Sequence, residues 1–404
     1  MNGKWWTENW WVSEYNYHDE VRKDFNLPEK VEIHDATLRD GEQTPGVVFS
    51  KDDKVRIAEL LAEIGVDRIE AGMPAVSKAD ADAILEISKR NLGPKIMVFC
   101  RAMKDDVDRA VDCGADGIVL EAPSSYPKLK FQFANKWTEE TLTEAVITTI
   151  NYAKEKGLYV NYFPFDTTRA ELPFLKRLLT NVTSNSKPDS ITVVDTTGSI
   201  TPMAMRYLVR QVKRVIDLPL EVHTHNDLGL GTATTFAAVE EGVQVVHSCV
   251  NGLGERTGNT ALEEIALGLR ILYGIDLPKF DFSKLRALTQ ELESLSGKKL
   301  AQNKPVAGLL PFTREIGLGM KVLQDYPLAI FPFLPSFVGQ ETKIVMGKKS
   351  GKESVIMKLD AAGLTATDEQ IQAIVQATKD AGVNKRGWLE DDEFIEVAKQ
   401  VLGA

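Results

Sequence analysis

Histidine is scarce in this chain of 404 residues: His18, His34, His223, His225 and His247 are all there are. Cysteine is scarcer still, with Cys100, Cys113 and Cys249 far apart and without metal-type spacing. That pattern argues against a secreted disulfide scaffold and leads us to expect a reducing, cytoplasmic setting. No apolar run approaches the length of a membrane span, so no membrane association is expected. The N-terminus, MNGKWWTENWWVSEYNYHDEV, lacks the uniform apolar core of a signal peptide. A basic excess is also missing. The formal net charge of −10 argues against a general nucleic-acid binder, although a local arginine cluster can still hold a small anion. Finally, there is no low-complexity linker.

What is present is the composition of an ordinary globular protein, 43% hydrophobic and 26% charged, in a chain long enough for a large domain with an appendage. Four tryptophans, Trp5, Trp6, Trp10 and Trp11, crowd the N-terminus. Rings of that size are expected to cover another surface, of this chain or of a partner subunit.

Eight β-like runs follow in order: 31–38, 67–73, 95–101, 117–123, 159–166, 190–198, 220–227 and 245–254. Each precedes a helix candidate. The first, KDDKVRIAELLAEIG, sets Ile57, Leu60, Leu61 and Ile64 on one face and follows Ser50, a good N-cap. Strands alternating with helices point to an α/β fold with a parallel sheet, and eight such units match a (β/α)8 TIM barrel. A doubly wound open sheet is the alternative. It would favour a Gly-rich dinucleotide turn after the first strand, where this chain has LRDGEQTPG. After residue 276 the rhythm changes to helices and Pro/Gly-marked turns, including a Thr-x-x-Gln capping box at Thr367 and Gln370. The expected organisation is an aromatic-rich extension over 1–29, a barrel over 30–276 and a mostly helical appendage over 277–404.

In a TIM barrel, chemistry gathers where strands end and βα loops begin. The stretch EVHTHNDLGLG sets His223 and His225 at i and i+2, on one face of a strand end. Two solvated imidazoles would be the plain reading. Together with a carboxylate they make a divalent-metal site with positions left open, and Asp40 at the end of strand 1 supplies that carboxylate. Arg39 beside it is placed to donate to an oxygen where negative charge develops. Glu70 at the end of strand 2 is placed to fix the fork of Arg39. Taken singly, each could be an ion pair at the barrel rim.

HDATLRDGEQTPG, IEAGMP, DTTG, HTHNDLGLG and NGLGERTGNTALEE, in this order and spacing, resemble the DRE-TIM metallolyase superfamily. The chain is most similar to the isopropylmalate, homocitrate and citramalate synthase branch. The resemblance spans about residues 30–275, with a weaker continuation through GKKSGKES. It implies a catalytic TIM barrel and a Claisen-type condensation. An acyl-CoA, usually acetyl-CoA, loses a proton and adds to the carbonyl of a 2-oxo acid held on a divalent metal (Zn, Mn or Mg), and the thioester is then hydrolysed. By the same resemblance Asp40, His223 and His225 are the metal ligands, Arg39 polarises the carbonyl and Glu70 orients Arg39. Thr197 holds the 2-oxo acid carboxylate, Gln43 is a pocket residue and Asn259 lies close to the metal shell. A homodimer is implied as well.

The chain departs from that pattern in two places. YFPFDTTR has Phe165 where the synthases carry a glutamate near the acyl-CoA. FTREIGLGM has Arg314 where they carry a histidine implicated in acid/base work, and no histidine follows His247. Arg314 is therefore expected to bind an anionic group of a substrate, with a structural salt bridge as the alternative. The family's long regulatory domain is not expected. The alternative functions are a carbon–carbon lyase or aldolase of the same superfamily, and a barrel that only binds a metabolite. NGLGERTGN lacks the cysteine that the lyase branch carries in this loop, which favours the synthase side.

Overall fold

A computed structural model describes residues 3–403. They form two compact units. One runs from Tyr15 to Leu300, and the other joins the segment up to Glu14 to the chain from Ala301 onward.

The larger unit is a closed barrel of eight parallel strands in sequential order. They are β1 (Glu32–Asp35), β2 (Arg68–Glu70), β3 (Lys95–Arg101), β4 (Gly117–Pro123), β5 (Tyr159–Phe165), β6 (Ser190–Asp195), β7 (Leu220–Thr224) and β8 (Val245–Ser248). This is the (β/α)8 barrel that the alternation predicts. β3 and β4 keep the expected bounds, whereas β1, β2, β6, β7 and β8 stop three or more residues early. The reason is visible after β1. The amides of Arg39, Asp40 and Gly41 all donate to the Ala36 carbonyl, so the chain curls as soon as the strand ends. Apolar and β-branched residues in the loops extend the strand pattern in the sequence but not the ladder.

The helix Lys51–Ile64 begins at Ser50, whose side chain accepts from the Asp53 amide in a full capping box. It buries Ile57, Leu61 and Ile64 against the barrel, as its spacing requires. The loop after β8 needs glycine. Gly258 has φ +87°, and a Cβ there would collide with the Gly252 carbonyl oxygen.

Inside the barrel the registers stack side chains in layers. β1 and β8 pair His34 with His247, and their rings stack at 4.0 Å and 5°. On the opposite side Met97, Val119, Phe163, Phe165 and Val194 form one apolar cluster. Charge therefore gathers on β1, β2, β7 and β8, while β3 to β6 supply a dry wall.

The second unit is mostly helical, with helices Lys352–Ala361, Asp368–Lys385 and Asp391–Leu402 packed around Met346, Ile374 and Phe394. The capping box at Thr367 and Gln370 forms as expected. The tryptophan-rich segment covers this unit. Trp10 is buried against Phe337 at 5.5 Å, Trp6 stacks on Trp11 at 4.8 Å, and the Trp6 indole N–H donates to the Tyr326 hydroxyl at 2.9 Å. Backbone bonds from Trp11 to Pro332 and from Leu334 to Asn9 fix its path.

Trp10→Ala should destabilise the chain by about 3 kcal/mol, the usual scale for truncating a buried aromatic. Denaturant unfolding of the full chain measures this, and an unchanged midpoint would mean that the segment adds nothing to the unit it covers.

Candidate active site

The turn after β1 carries the two residues around which the barrel mouth is built. Arg39 donates from Nε and Nη2 to the two oxygens of Glu70, at 2.7 and 3.1 Å, and from Nη1 to Asp40 Oδ2 at 2.9 Å. This two-point grip fixes the plane of the guanidinium, which also lies over the Phe99 ring at 5.3 Å. Three of the five N–H groups of Arg39 are thus engaged and two remain. Both partners are buried.

Asp40 Oδ2 also faces two imidazoles, with His223 Nε2 at 3.2 Å and His225 Nε2 at 3.8 Å. One ligand atom from each of the three residues lies within 4.8 Å of the others, and all three side chains are buried. Burial lowers the pKa of His223 against the pull of Asp40, and lowers that of His225 to about 4. Both rings are therefore neutral near pH 7, the form that binds a metal ion. Burial alone would raise the pKa of Asp40, but the Arg39 guanidinium together with His223 and His225 outweighs it and keeps the carboxylate charged. Two neutral nitrogens and one carboxylate, converging and desolvated, fit a divalent ion.

A second ligand-type group, His34, Glu221 and His247, sits deeper in the barrel. Its carboxylate is already committed, since Arg68 donates to Glu221 Oε1 at 2.8 Å and His247 Nε2 lies 2.7 Å from Oε2. His34 Nε2 in turn lies 3.3 Å from Glu70. The two groups join into one polar column running from Arg68 up to His225.

The mouth encloses a cavity of about 250 Å³ bounded by Arg39, Asp40, His223, His225 and Gln43. Phe99, Phe163, Phe165, Val194 and Met73 form its apolar side, with Arg101, Thr196, Glu255 and Glu121 completing it. Thr197 is not on this wall. Its hydroxyl lies 2.8 Å from that of Ser199, and Thr196 faces the cavity in its stead. Asn259 is buried, bridges His225 through its backbone and has an Oδ1 without a hydrogen-bond partner among the described residues. Asp166 and Arg169, after β5, form an ion pair with each other at 2.8 Å. Arg314 belongs to the other unit, on the short strand β9 (Thr313–Arg314). There it lines a larger cleft of about 650 Å³ together with Lys348, Lys349, Arg386 and Trp388.

Two features of the site have little sequence signal. The His34–Glu221–His247 column depends on strand register, although Glu221 and His223 at i and i+2 do share a face. Glu121 is marked only by being a lone carboxylate late in an apolar strand, GIVLEAP. Burial pushes its pKa up to about 7, against the lowering effect of Arg39 and Lys128.

Residues 30–292 match the HMGL-like family. The chain belongs to that family. This agrees with the superfamily resemblance of the five motifs. Among HMGL-like relatives, homocitrate synthase AksA of Methanopyrus kandleri is 38% identical over 386 residues, covering 96% of each chain. (R)-citramalate synthase CimA of Methanocaldococcus jannaschii is 36% identical and covers 92% of this chain and 75% of its own. The 2-isopropylmalate synthase of the same organism is also 36% identical, covering 96% and 76%. Among solved structures, hydroxymethylglutaryl-CoA lyase from Pseudomonas aeruginosa superposes with a TM-score of 0.62 at 23% identity, covering 69% of this chain and 97% of its own. At that identity the likeness is one of fold.

The Arg39–Glu70 grip also sets a pH dependence. Burial alone would raise the Glu70 pKa, but Arg39 and His34 hold it at about 2, against 4.5 ordinarily. The stability that this carboxylate contributes is complete above pH 4.5 and lost as the pH falls toward 2. Glu70→Gln removes one of the two carboxylates that hold the buried Arg39 charge and leaves Asp40, so at pH 7 it should cost about 3 kcal/mol, the lower end for breaking a buried pair. Urea unfolding across a pH series should show the gap between the two proteins narrowing below pH 4.5. A constant gap would mean that the charge of Glu70 contributes nothing.

Proposed function

We propose that this chain is a metal-dependent acyltransferase. It condenses an acyl-CoA, acetyl-CoA in the first instance, with a 2-oxo acid and, by hydrolysis of the thioester with water, gives a 2-hydroxy, alkylmalate-like acid and CoA. The observation that carries the reading is the Arg39–Glu70 grip set beside the converging Asp40, His223 and His225, at one end of a small-molecule cavity. The near full-length synthase relatives support the same chemistry. The experiment that tests it is a thiol-release assay with acetyl-CoA and a panel of 2-oxo acids. No release with any of them would refute the reading.

Asp40, His223 and His225 would hold the divalent ion, Zn, Mn or Mg, which when bound supplies Lewis acidity toward the carbonyl and carboxylate oxygens of the 2-oxo acid. The two free N–H groups of Arg39 donate to the carbonyl oxygen as it gains negative charge. Glu70 keeps the guanidinium from turning away. Gln43 contacts the acid from the β1 turn. Thr197 binds its carboxylate, which requires the loop after β6 to turn its hydroxyl from Ser199 into the cavity. Asn259, buried next to His225, turns its free Oδ1 to the metal shell. The apolar side of the cavity keeps water away from the carbanion equivalent.

Arg314 holds an anionic group of a substrate or of CoA. No carboxylate among the described residues pairs with Arg314, Lys348 or Arg386, and Arg314 Nε is buried without a hydrogen-bond partner. A cleft with several uncompensated cations attracts phosphate or carboxylate. We further propose a cytoplasmic homodimer. Three free, buried cysteines suit a reducing compartment, and analytical ultracentrifugation tests the dimer.

His223→Ala should lose bound metal, read by elemental analysis, while its circular dichroism stays unchanged. Full metal occupancy in this variant would remove His223 from the ligand set. Arg314→Ala should raise the Michaelis constant of one substrate roughly tenfold or more with a smaller effect on turnover. If turnover collapsed at constant Michaelis constants, Arg314 would belong to the chemistry. If only thermal stability fell, its role would be structural.

A further inference from the structure

The proposed condensation needs a group to take a proton from the α-carbon of the acyl-CoA. Most ionisable groups at the barrel mouth are unavailable for this. Arg39 and Arg101 are donors only. Asp40, His223 and His225 converge on one point. Both oxygens of Glu70 are held by Arg39, and one also contacts His34. The Glu255 side chain is 56% exposed and paired with Arg256 at 3.1 Å.

Glu121 differs on each count. It stands near the C-terminal end of β4, three strands from β1 and three from β7, so it faces the ligand group from across the cavity. The register puts it beside Phe163 on β5 and beside Arg101 on β3. Arg101 does not neutralise it, because that guanidinium is turned to Asp106 at 2.8 Å through both Nε and Nη2. No hydrogen bond or ion pair within the described residues engages the Glu121 carboxylate. A carboxylate with no bonded partner, set among the aromatic rings of β3 to β5, has no structural task there. A free carboxylate across a cavity from a carbonyl-binding group is what proton abstraction next to a thioester needs.

We propose that Glu121 is the general base of this site. The statement rests on the acyltransferase reading. In the step, the α-carbon–hydrogen bond of the acyl-CoA breaks and its proton goes to a Glu121 oxygen. The bonding pair becomes the carbon–carbon π bond of the enolate as the thioester C=O π pair moves onto its oxygen, and that pair re-forms the C=O when the α-carbon attacks. The enolate carbon then bonds to the carbonyl carbon of the 2-oxo acid, whose π pair moves to oxygen, and Glu121 returns its proton to that oxygen or to water. Phe163 and Phe165 hold the acyl group against the carboxylate.

The test follows exchange of acyl-CoA α-protons for deuterium in D2O by NMR, with metal present. The unmodified enzyme should exchange, and Glu121→Gln should slow exchange by about 10²–10⁴-fold. Metal content, 2-oxo acid affinity by calorimetry and melting temperature should not change. Glu121→Asp should retain part of the rate, and Glu121→Gln with Phe165→Glu should recover part of it, because position 165 opens onto the same cavity from the next strand.

Undiminished exchange in a folded Glu121→Gln variant overturns the proposal. So does a loss of 2-oxo acid affinity that accounts for the lower rate, since Glu121 would then be a binding group. If the unmodified enzyme exchanges no acyl-CoA under any condition, the proposal falls with it. If exchange depends on Glu121 but no 2-oxo acid releases thiol, the base assignment stands and only the acyltransferase reading fails.

Discussion

A guanidinium and a carboxylate buried together, Arg39 and Glu70, set the terms for the rest of the barrel mouth. Taking both charges out of water costs several kcal/mol for each, and attraction repays this only if the geometry is good and the remaining polar atoms are bonded. Here the geometry is good and all but two N–H groups of Arg39 are bonded. The contact is two-pointed, Asp40 takes a further N–H of Arg39, and His34 supports Glu70 from below. The same solution recurs lower in the barrel, where Arg68 bridges Glu32 and Glu221 and His247 contacts Glu221. The stacked His34 and His247 rings join the two clusters. A column of paired charge thus runs along one side of a barrel whose other side is packed with Phe163, Phe165 and Val194.

That division explains which parts of the molecule can be read from its residues. Eight βα units show themselves through hydrophobic period, and Ser50 and Thr367 announce their helices by local hydrogen bonding. Such signals lie within a few residues of each other. The set Arg39, Asp40, Glu70, His223 and His225 is legible for a related reason: the barrel sends every strand end to the same place, so position along the unit is enough. Thr197 shows the limit. The difference between Thr196 and Thr197 facing the cavity is one residue of loop rotation after Asp195, which a motif does not encode. The His34–His247 stack and the exposure of Glu121 to the cavity depend on the register between strands far apart in sequence.

The tryptophan segment makes a similar point at the other extreme of the chain. Its aromatic content is a local signal that something is to be covered. What it covers, the region around Phe333 and Phe337, lies more than three hundred residues away. Only the closed tertiary structure connects the two.

The same geometry bears on where a barrel of this kind can carry a proton acceptor. Glu121 and Phe165 open onto one cavity from the neighbouring strands β4 and β5. A proton acceptor needs to reach the substrate, and which strand it comes from is secondary. The constraint that does not move is the dry surface around it. A carboxylate beside Phe163 stays basic because burial there outweighs the lowering effect of Arg39 and Lys128, neither of which bonds to it. The separation of the barrel into a charged side and an apolar side, first required to bury Arg39 and Glu70 without excess cost, also allows a lone carboxylate on the opposite wall to act as a base.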